Sequence, residues 1–321
     1  MRRRDFLTAT AVAATAILTG CTKGLPTPPP PPEEESGERP VRVLLLSDPH
    51  TQDGRYSLTA GKLRDALNDY KALKPDLLVV NGDVTDRGLV GEYETFFDCV
   101  KSVLGAKLPV TITTGNHEFY DKDATDETEI ARFLKASGRQ TPYSALKVAG
   151  VHFVLLATEM WKTAPKNPDW AWLSQAQLEW FAQTLAANKD LFTIVLLHQP
   201  LQETLLWSHG GNNFAGSGQV AELKAILAKH PQVKLWLSGH THQRIEAEAA
   251  KVQIGQTRFL GLGSTAYQIY LSEGGQARER DWEASQSRLL EIWPDRVEIK
   301  SRDHQAKRWL DQVALTLPKK A

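Results

Sequence analysis

Asp48, His50, Asp83, Asn116, His198, His240 and His242 are the residues of this 321-residue chain whose types and placing could do chemistry together. Each follows an apolar run: residues 41–46 precede Asp48 and His50, 76–80 precede Asp83, and 109–114 precede Asn116. Residues 193–197 precede His198, and 233–237 precede His240 and His242. One such histidine alone is more often a structural or surface group. Five segments that each deliver an oxygen or imidazole donor just past an apolar run have no packing explanation. Carboxylate, imidazole and amide donors suit borderline divalent cations such as Mn, Fe or Zn. No cysteine is among them, which excludes a structural thiolate zinc site. Seven donors exceed one tetrahedral shell and suit two cations, roughly 3.5–4 Å apart, sharing a carboxylate.

The elements that must position these donors are legible in outline. The apolar runs read as strands buried in a parallel sheet. Helical periodicity predicts helices over 58–73, 92–104, 174–187 and 220–230, with Ser174 as an N-cap. Strands alternating with helices argue for a layered α/β fold. In open α/β sheets, loops at the carboxyl ends of the strands converge on one edge, which is how distant donors meet. Gly82 and Gly88 let the chain turn sharply on either side of Asp83. Short strands over 257–262, 289–293 and 296–300 suggest a second sheet or an antiparallel extension, and 304–321 reads as a short basic tail. Segments 119–145 and 201–217 follow donor residues directly and can form a rim. There Trp207, His209 and Phe214 either stack on a substrate or pack on their own loop. His152 and His230 read as structural, and His304 lies past the last predicted strand. Cys99, on an amphipathic helix, reads as a buried thiol.

Asp48-Pro49-His50, Gly82-Asp83-Val84-Thr85-Asp86-Arg87-Gly88, Gly115-Asn116-His117-Glu118, His198 and Gly239-His240-Thr241-His242 together resemble the five motifs of the calcineurin-like metallophosphoesterase superfamily. Order and approximate spacing match over residues 48–242. The resemblance implies a four-layer α/β/β/α sandwich of two mixed sheets flanked by helices. It implies that Asp83 bridges two divalent metal ions. Asp48, His50 and His242 would complete one shell, and Asn116, His198 and His240 the other. It further implies hydrolysis of a small phosphoester, most of all a diester, as in bacterial cyclic-nucleotide phosphodiesterases. Water made acidic by the cations would attack in line, and His117, oriented by Asp86, would protonate the leaving oxygen. A phosphomonoesterase or phosphoprotein phosphatase with the same site is the alternative, and a non-catalytic binding lipoprotein a remoter one. Asp86 stands where purple acid phosphatases carry Tyr. Arg87 matches the phosphoprotein-phosphatase pattern, in which it contacts phosphate, or else it pairs with an acid.

The ends speak of place. Arg3-Arg4-Asp5-Phe6-Leu7, a short apolar run and Leu18-Thr19-Gly20-Cys21 make residues 1–20 resemble a twin-arginine signal with a lipobox. That implies a lipid on Cys21, which would tether the mature chain to a membrane on the extracytoplasmic side of the cell envelope. Residues 21–40 are a Pro- and Glu-rich linker, extended and unable to build a core. The domain is expected over 41–303. Net charge is 0 for the whole chain and −2 without residues 1–20, so no basic footprint for nucleic acid exists. With 2 cysteines, one of them the lipidation candidate, no disulfide framework is expected, and no obligate protein partner is evident.

Overall fold

The computed structural model describes residues 39–54, 57–159, 169–208, 217–247, 251–272 and 278–317. In chain order the first elements are β1 (Val41–Leu46), α1 (Leu58–Lys71), β2 (Leu77–Asn81), α2 (Val90–Leu104) and β3 (Val110–Thr113). A single 3-10 turn (His117–Phe119), α3 (Asp126–Ser137), β4 (Ser144–Val148), β5 (Val151–Leu155), α4 (Gln175–Ala187) and β6 (Thr193–Leu196) follow. Then come α5 (Ser217–Lys229), β7 (Val233–Ser238), β8 (Lys251–Ile254), β9 (Thr257–Gly261), β10 (Gln268–Leu271) and β11 (Arg278–Asp281). The chain closes with β12 (Gln286–Ile292), β13 (Arg296–Asp303) and β14 (Arg308–Thr316).

Two six-stranded sheets carry the architecture. One has the order β14-β13-β12-β1-β2-β3, the other β4-β5-β6-β7-β9-β8. Strands β1, β2 and β3 run parallel, as do β5, β6, β7 and β9; antiparallel strands adjoin the first set on the β1 side and the second set on both sides, so both sheets are mixed. Strand alternation explains the layering, because successive side chains point to opposite faces. Val43 and Leu45 of β1 meet Phe153, Leu155, Leu196 and Leu237 of the other sheet in one apolar core. Leu44 and Leu46 instead face Leu63 and Leu67 of α1, together with Phe96 and Val100 of α2. Phe181 and Leu185 of α4 and Leu223 of α5 pack on Val154, Val195 and Trp236 of the second sheet. Strands buried on both faces read as unbroken apolar runs, and the result is the expected α/β/β/α sandwich.

The chain departs from expectation at its far end. Residues 304–321 are not a tail: β14 pairs antiparallel with β13 and forms the edge of the first sheet. Its side chains alternate between half-buried and exposed, a one-sided strand too polar to announce itself by hydrophobicity. His304 therefore lies in the β13–β14 connection. Its Nε2 is 2.8 Å from Ser287 Oγ and its Nδ1 3.0 Å from Asp69 Oδ2. Within the polar segment 119–145, the short helix that the sequence suggests near 127–134 is α3, slightly longer at both ends, and the start of β4 follows it. Ser174 caps α4 as expected, and Cys99 is buried on α2. His152 is buried on β5 against Thr193. No helix among the described residues is long and apolar enough to cross a membrane. The expected signal and the expected linker up to residue 38, together with His209 and Phe214, lie outside the described residues.

Candidate metal centre

Five strands end at one place. β1, β2 and β3 of one sheet and β6 and β7 of the other release the chain just before Asp48, Asp83, Asn116, His198 and His240. The donors are then turned inward by backbone that most residues avoid. Asp48, His50, Asp83, His240 and His242 all have positive φ, between 43° and 67°. A non-glycine residue in that region costs on the order of 1–3 kcal/mol and is held only by over-determined surroundings. The surroundings are visible. Asp48 N donates to Gly82 O at 3.2 Å, His50 N to Asp83 O at 2.9 Å, and Gly239 N to His198 O at 2.9 Å.

Two clusters result. Asp48, His50, Asp83 and His242 present ligand atoms within 4.8 Å of one another, and so do Asp83, His198 and His240. Asp83 belongs to both: its Oδ2 lies 3.1 Å from His198 Nε2 and 3.7 Å from His50 Nε2. His242 Nε2 lies 3.1 Å from Asp48 Oδ1 and 3.0 Å from His50 Nε2. Asn116 Oδ1 lies 3.0 Å from His240 Nδ1, which brings the amide into the second cluster. Tyr120 OH and Asp169 Oδ1 take the Asn116 amide hydrogens at 3.0 and 3.3 Å, and this fixes which end of the amide faces inward. All seven predicted donors therefore converge.

The imidazole tautomers follow from their partners, since a carbonyl can only accept. His198 Nδ1 donates to Asn81 O at 2.7 Å, and His242 Nδ1 donates to Tyr267 O at 3.0 Å. Both rings then offer an Nε2 lone pair to the centre, the arrangement that orients histidine ligands. His198 Nε2 is buried and makes no hydrogen bond, although a carboxylate oxygen stands beside it. Imidazole nitrogens and carboxylate oxygens packed this closely fit a pair of divalent cations.

Charge among these packed side chains is correspondingly disturbed. Burial pushes the Asp83 carboxyl upward, but His198, His117 and His50 prevail and hold it well below its ordinary range. Burial and the neighbouring His117 push His50 down. Burial lowers His240 to about 4. Burial opposes the charged form of His198, yet Asp83 and Asp48 raise it to about 10.

His117 sits beside the centre, less deeply buried. Its Nδ1 donates to the backbone carbonyl of Asp86 at 2.8 Å, while the Asp86 carboxylate stands 3.8 Å away. Asp86 thus positions the ring through its main chain rather than its side chain. The ring also stacks on Tyr120, with centroids 4.0 Å apart. Arg87 turns outward, its Nε 3.7 Å from Glu92 Oε1, so it pairs with an acid.

Glu118 was given no role of its own by sequence reasoning. It is fully buried, and its Oε2 accepts from Asp83 N at 2.9 Å and Gly115 N at 2.7 Å. Its Oε1 accepts from Thr85 N at 3.0 Å and Thr85 Oγ1 at 2.9 Å. One carboxylate therefore ties the Asp83 loop to the Asn116–His117 loop. Burial and the nearby Asp83 raise its pKa to about 7. The available signal was its place beside His117 in the Gly115-Asn116-His117-Glu118 motif. Tyr267 was also missed; it stacks on His242 with centroids 4.2 Å apart.

Comparison with known proteins agrees with this geometry. The family described as calcineurin-like phosphoesterase matches residues 41–244. A probable cyclic nucleotide phosphodiesterase of Synechococcus is 30% identical over 70% of this chain and 78% of its own length. The 3',5'-cyclic adenosine monophosphate phosphodiesterase of Escherichia coli is 27% identical over 66% and 74%. Among solved structures, a dimetal phosphatase of Danio rerio shares the fold with a TM-score of 0.61 and 15% identity, covering 88% of this chain and 100% of that one. The chain belongs to the calcineurin-like phosphoesterase family, and its buried Asp/His centre is that of a two-metal phosphoester hydrolase.

Proposed function

We propose that this enzyme hydrolyses small phosphodiesters of the cyclic-nucleotide class, the substrates named for its bacterial relatives. The observation that carries the site assignment is Asp83, whose Oδ2 stands within 3.7 Å of an imidazole from each cluster. Asp48, His50, Asp83 and His242 would hold one divalent cation, and Asp83, Asn116, His198 and His240 a second. Two cations, when bound, supply charge that neutralises phosphate oxygens and makes water acidic near neutral pH. Asn81 O and Tyr267 O keep the Nε2 lone pairs of His198 and His242 inward. His117 donates from Nδ1 to Asp86 O, so Nε2 is the atom left to hand a proton to the departing alkoxide.

Metal content measured beside turnover tests this reading. We expect about two metals per chain and faster hydrolysis of bis-p-nitrophenyl phosphate and cyclic AMP than of p-nitrophenyl phosphate. His117→Ala should keep its metal and lose roughly 10²–10⁴ in kcat. Asp86→Ala should lose far less, because the bond to His117 comes from the main chain. A fully active His117→Ala removes the acid role, and a preference for the monoester replaces the diesterase by a phosphomonoesterase. The lipobox-like Leu18-Thr19-Gly20-Cys21 supports a lipid-anchored enzyme outside the cytoplasm. Cys21→Ser should then abolish palmitate labelling and release the chain from membranes.

A further inference from the structure

Beside the first cluster, an aromatic and cationic surface runs outward from the metal ligands. Tyr267 stacks on His242 at 4.2 Å and 27°, and more distantly on His50 at 5.8 Å and 26°. Trp282 lies against Tyr267, with centroids 4.5 Å apart. The Arg280 guanidinium stands 5.0 Å from the Tyr267 ring and 5.8 Å from the Trp282 ring. Among the described residues no carboxylate pairs with Arg280. Tyr267 is 8% exposed but Trp282 is 42% exposed, so the stack begins in the core and ends with a bare indole. An indole exposed beside a guanidinium and backed by a second ring offers a planar stacking face to a ligand.

This surface is braced. Lys62 of α1 donates from Nζ to the Trp282 and Ala284 carbonyls. Asp281 Oδ1 accepts from Glu283 N and Ala284 N, both at 3.1 Å. Arg244, two residues past His242, pairs with Asp281, and Ile269 N donates to His242 O at 2.7 Å. The β10–β11 pair is thereby fixed to the same loop that supplies His240 and His242. Trp207, expected at the rim, lies beneath Arg278 of the same pair at 4.6 Å.

We propose that Trp282, Arg280 and Tyr267 form the subsite for the nucleobase of the substrate. The base stacks on the exposed face of Trp282, and Arg280, held by the two rings, donates to the acceptor edge of the base. A planar heteroaromatic group matches the indole, and an unpaired guanidinium matches its ring nitrogens and carbonyl oxygens. Tyr267 joins this platform to the ligand His242. This inference rests on the diesterase reading above and names what distinguishes its substrates.

The test compares cyclic AMP with glycerophosphoethanolamine, a diester without a ring, using the full metal-loaded protein. For Trp282→Ala and Arg280→Ala, the ratio of kcat/KM for cyclic AMP to that for the ring-free diester should fall roughly tenfold, through KM rather than kcat. Trp282→Phe should recover most of the ratio, with metal content unchanged throughout. An unchanged ratio in Trp282→Ala overturns the subsite and leaves the cyclic-nucleotide reading standing; a wild type that prefers the ring-free diester overturns both the subsite and the cyclic-nucleotide substrate class, leaving only a diesterase. A metal-loaded wild type that cleaves neither diester removes both.

Discussion

Replacing Glu118 by Gln keeps the volume and removes one acceptor. Four donors converge on this carboxylate: the Asp83 and Gly115 N–H groups on Oε2, and the Thr85 N–H and hydroxyl on Oε1. With the Gln NH2 at the Oε2 place, two buried N–H groups lose their acceptor. With it at the Oε1 place, Thr85 N is orphaned, and the Thr85 hydroxyl, whose oxygen accepts from Gly88 N at 3.0 Å, must turn its hydrogen to another acceptor. Each unpaired buried donor costs about 1–3 kcal/mol. Against this, the variant escapes the burial and the Asp83 repulsion that hold the carboxyl pKa at about 7. At least one buried N–H is orphaned in either orientation, and its cost should prevail, leaving a net loss of about 2 kcal/mol. Urea unfolding of the metal-stripped proteins at pH 8, where wild-type Glu118 is ionised, measures it. Stripping removes the linkage between metal binding and stability. A midpoint that falls at constant slope is the expected result. Equal or greater stability in Glu118→Gln would refute the reasoning, since relief of a buried charge would then outweigh the donors.

Two further outcomes follow from local geometry. A Cβ at Gly115 would stand 2.2 Å from Asp83 Oδ1 and 2.7 Å from His198 Cδ2, so Gly115→Ala should displace both ligands. Metal analysis and kinetics should show lost metal and at least a roughly 10²-fold fall in activity, with far-ultraviolet circular dichroism retained. Burial, helped by Lys147, lowers the His152 pKa to about 4. The unfolded chain therefore binds a proton between about pH 6.5 and 4 that the folded chain refuses, and stability should fall as pH drops through that window. Denaturant melts of His152→Gln across the same range should show a flatter profile.

The sequence by itself determined the donors and the layers. Apolar runs ending in Asp48, Asp83, Asn116, His198 and His240 announced strands, because a strand buried on both faces must be apolar throughout. Chain topology then required their ends to meet, because parallel strands carry their loops on one edge. What lay beyond those runs was decided only in three dimensions. β14 could not be read because an edge strand with one exposed face has too few apolar residues to stand out. The Asp86 main-chain bond to His117 and three of the four bonds to Glu118 join residues 31 to 35 apart, and no local pattern encodes them. The Tyr267–Arg280–Trp282 surface arises because β10 and β11 are pinned to the His242 loop and to α1. Residue types and strand ends are properties of the chain, whereas contacts between loops are properties of the packed sheets.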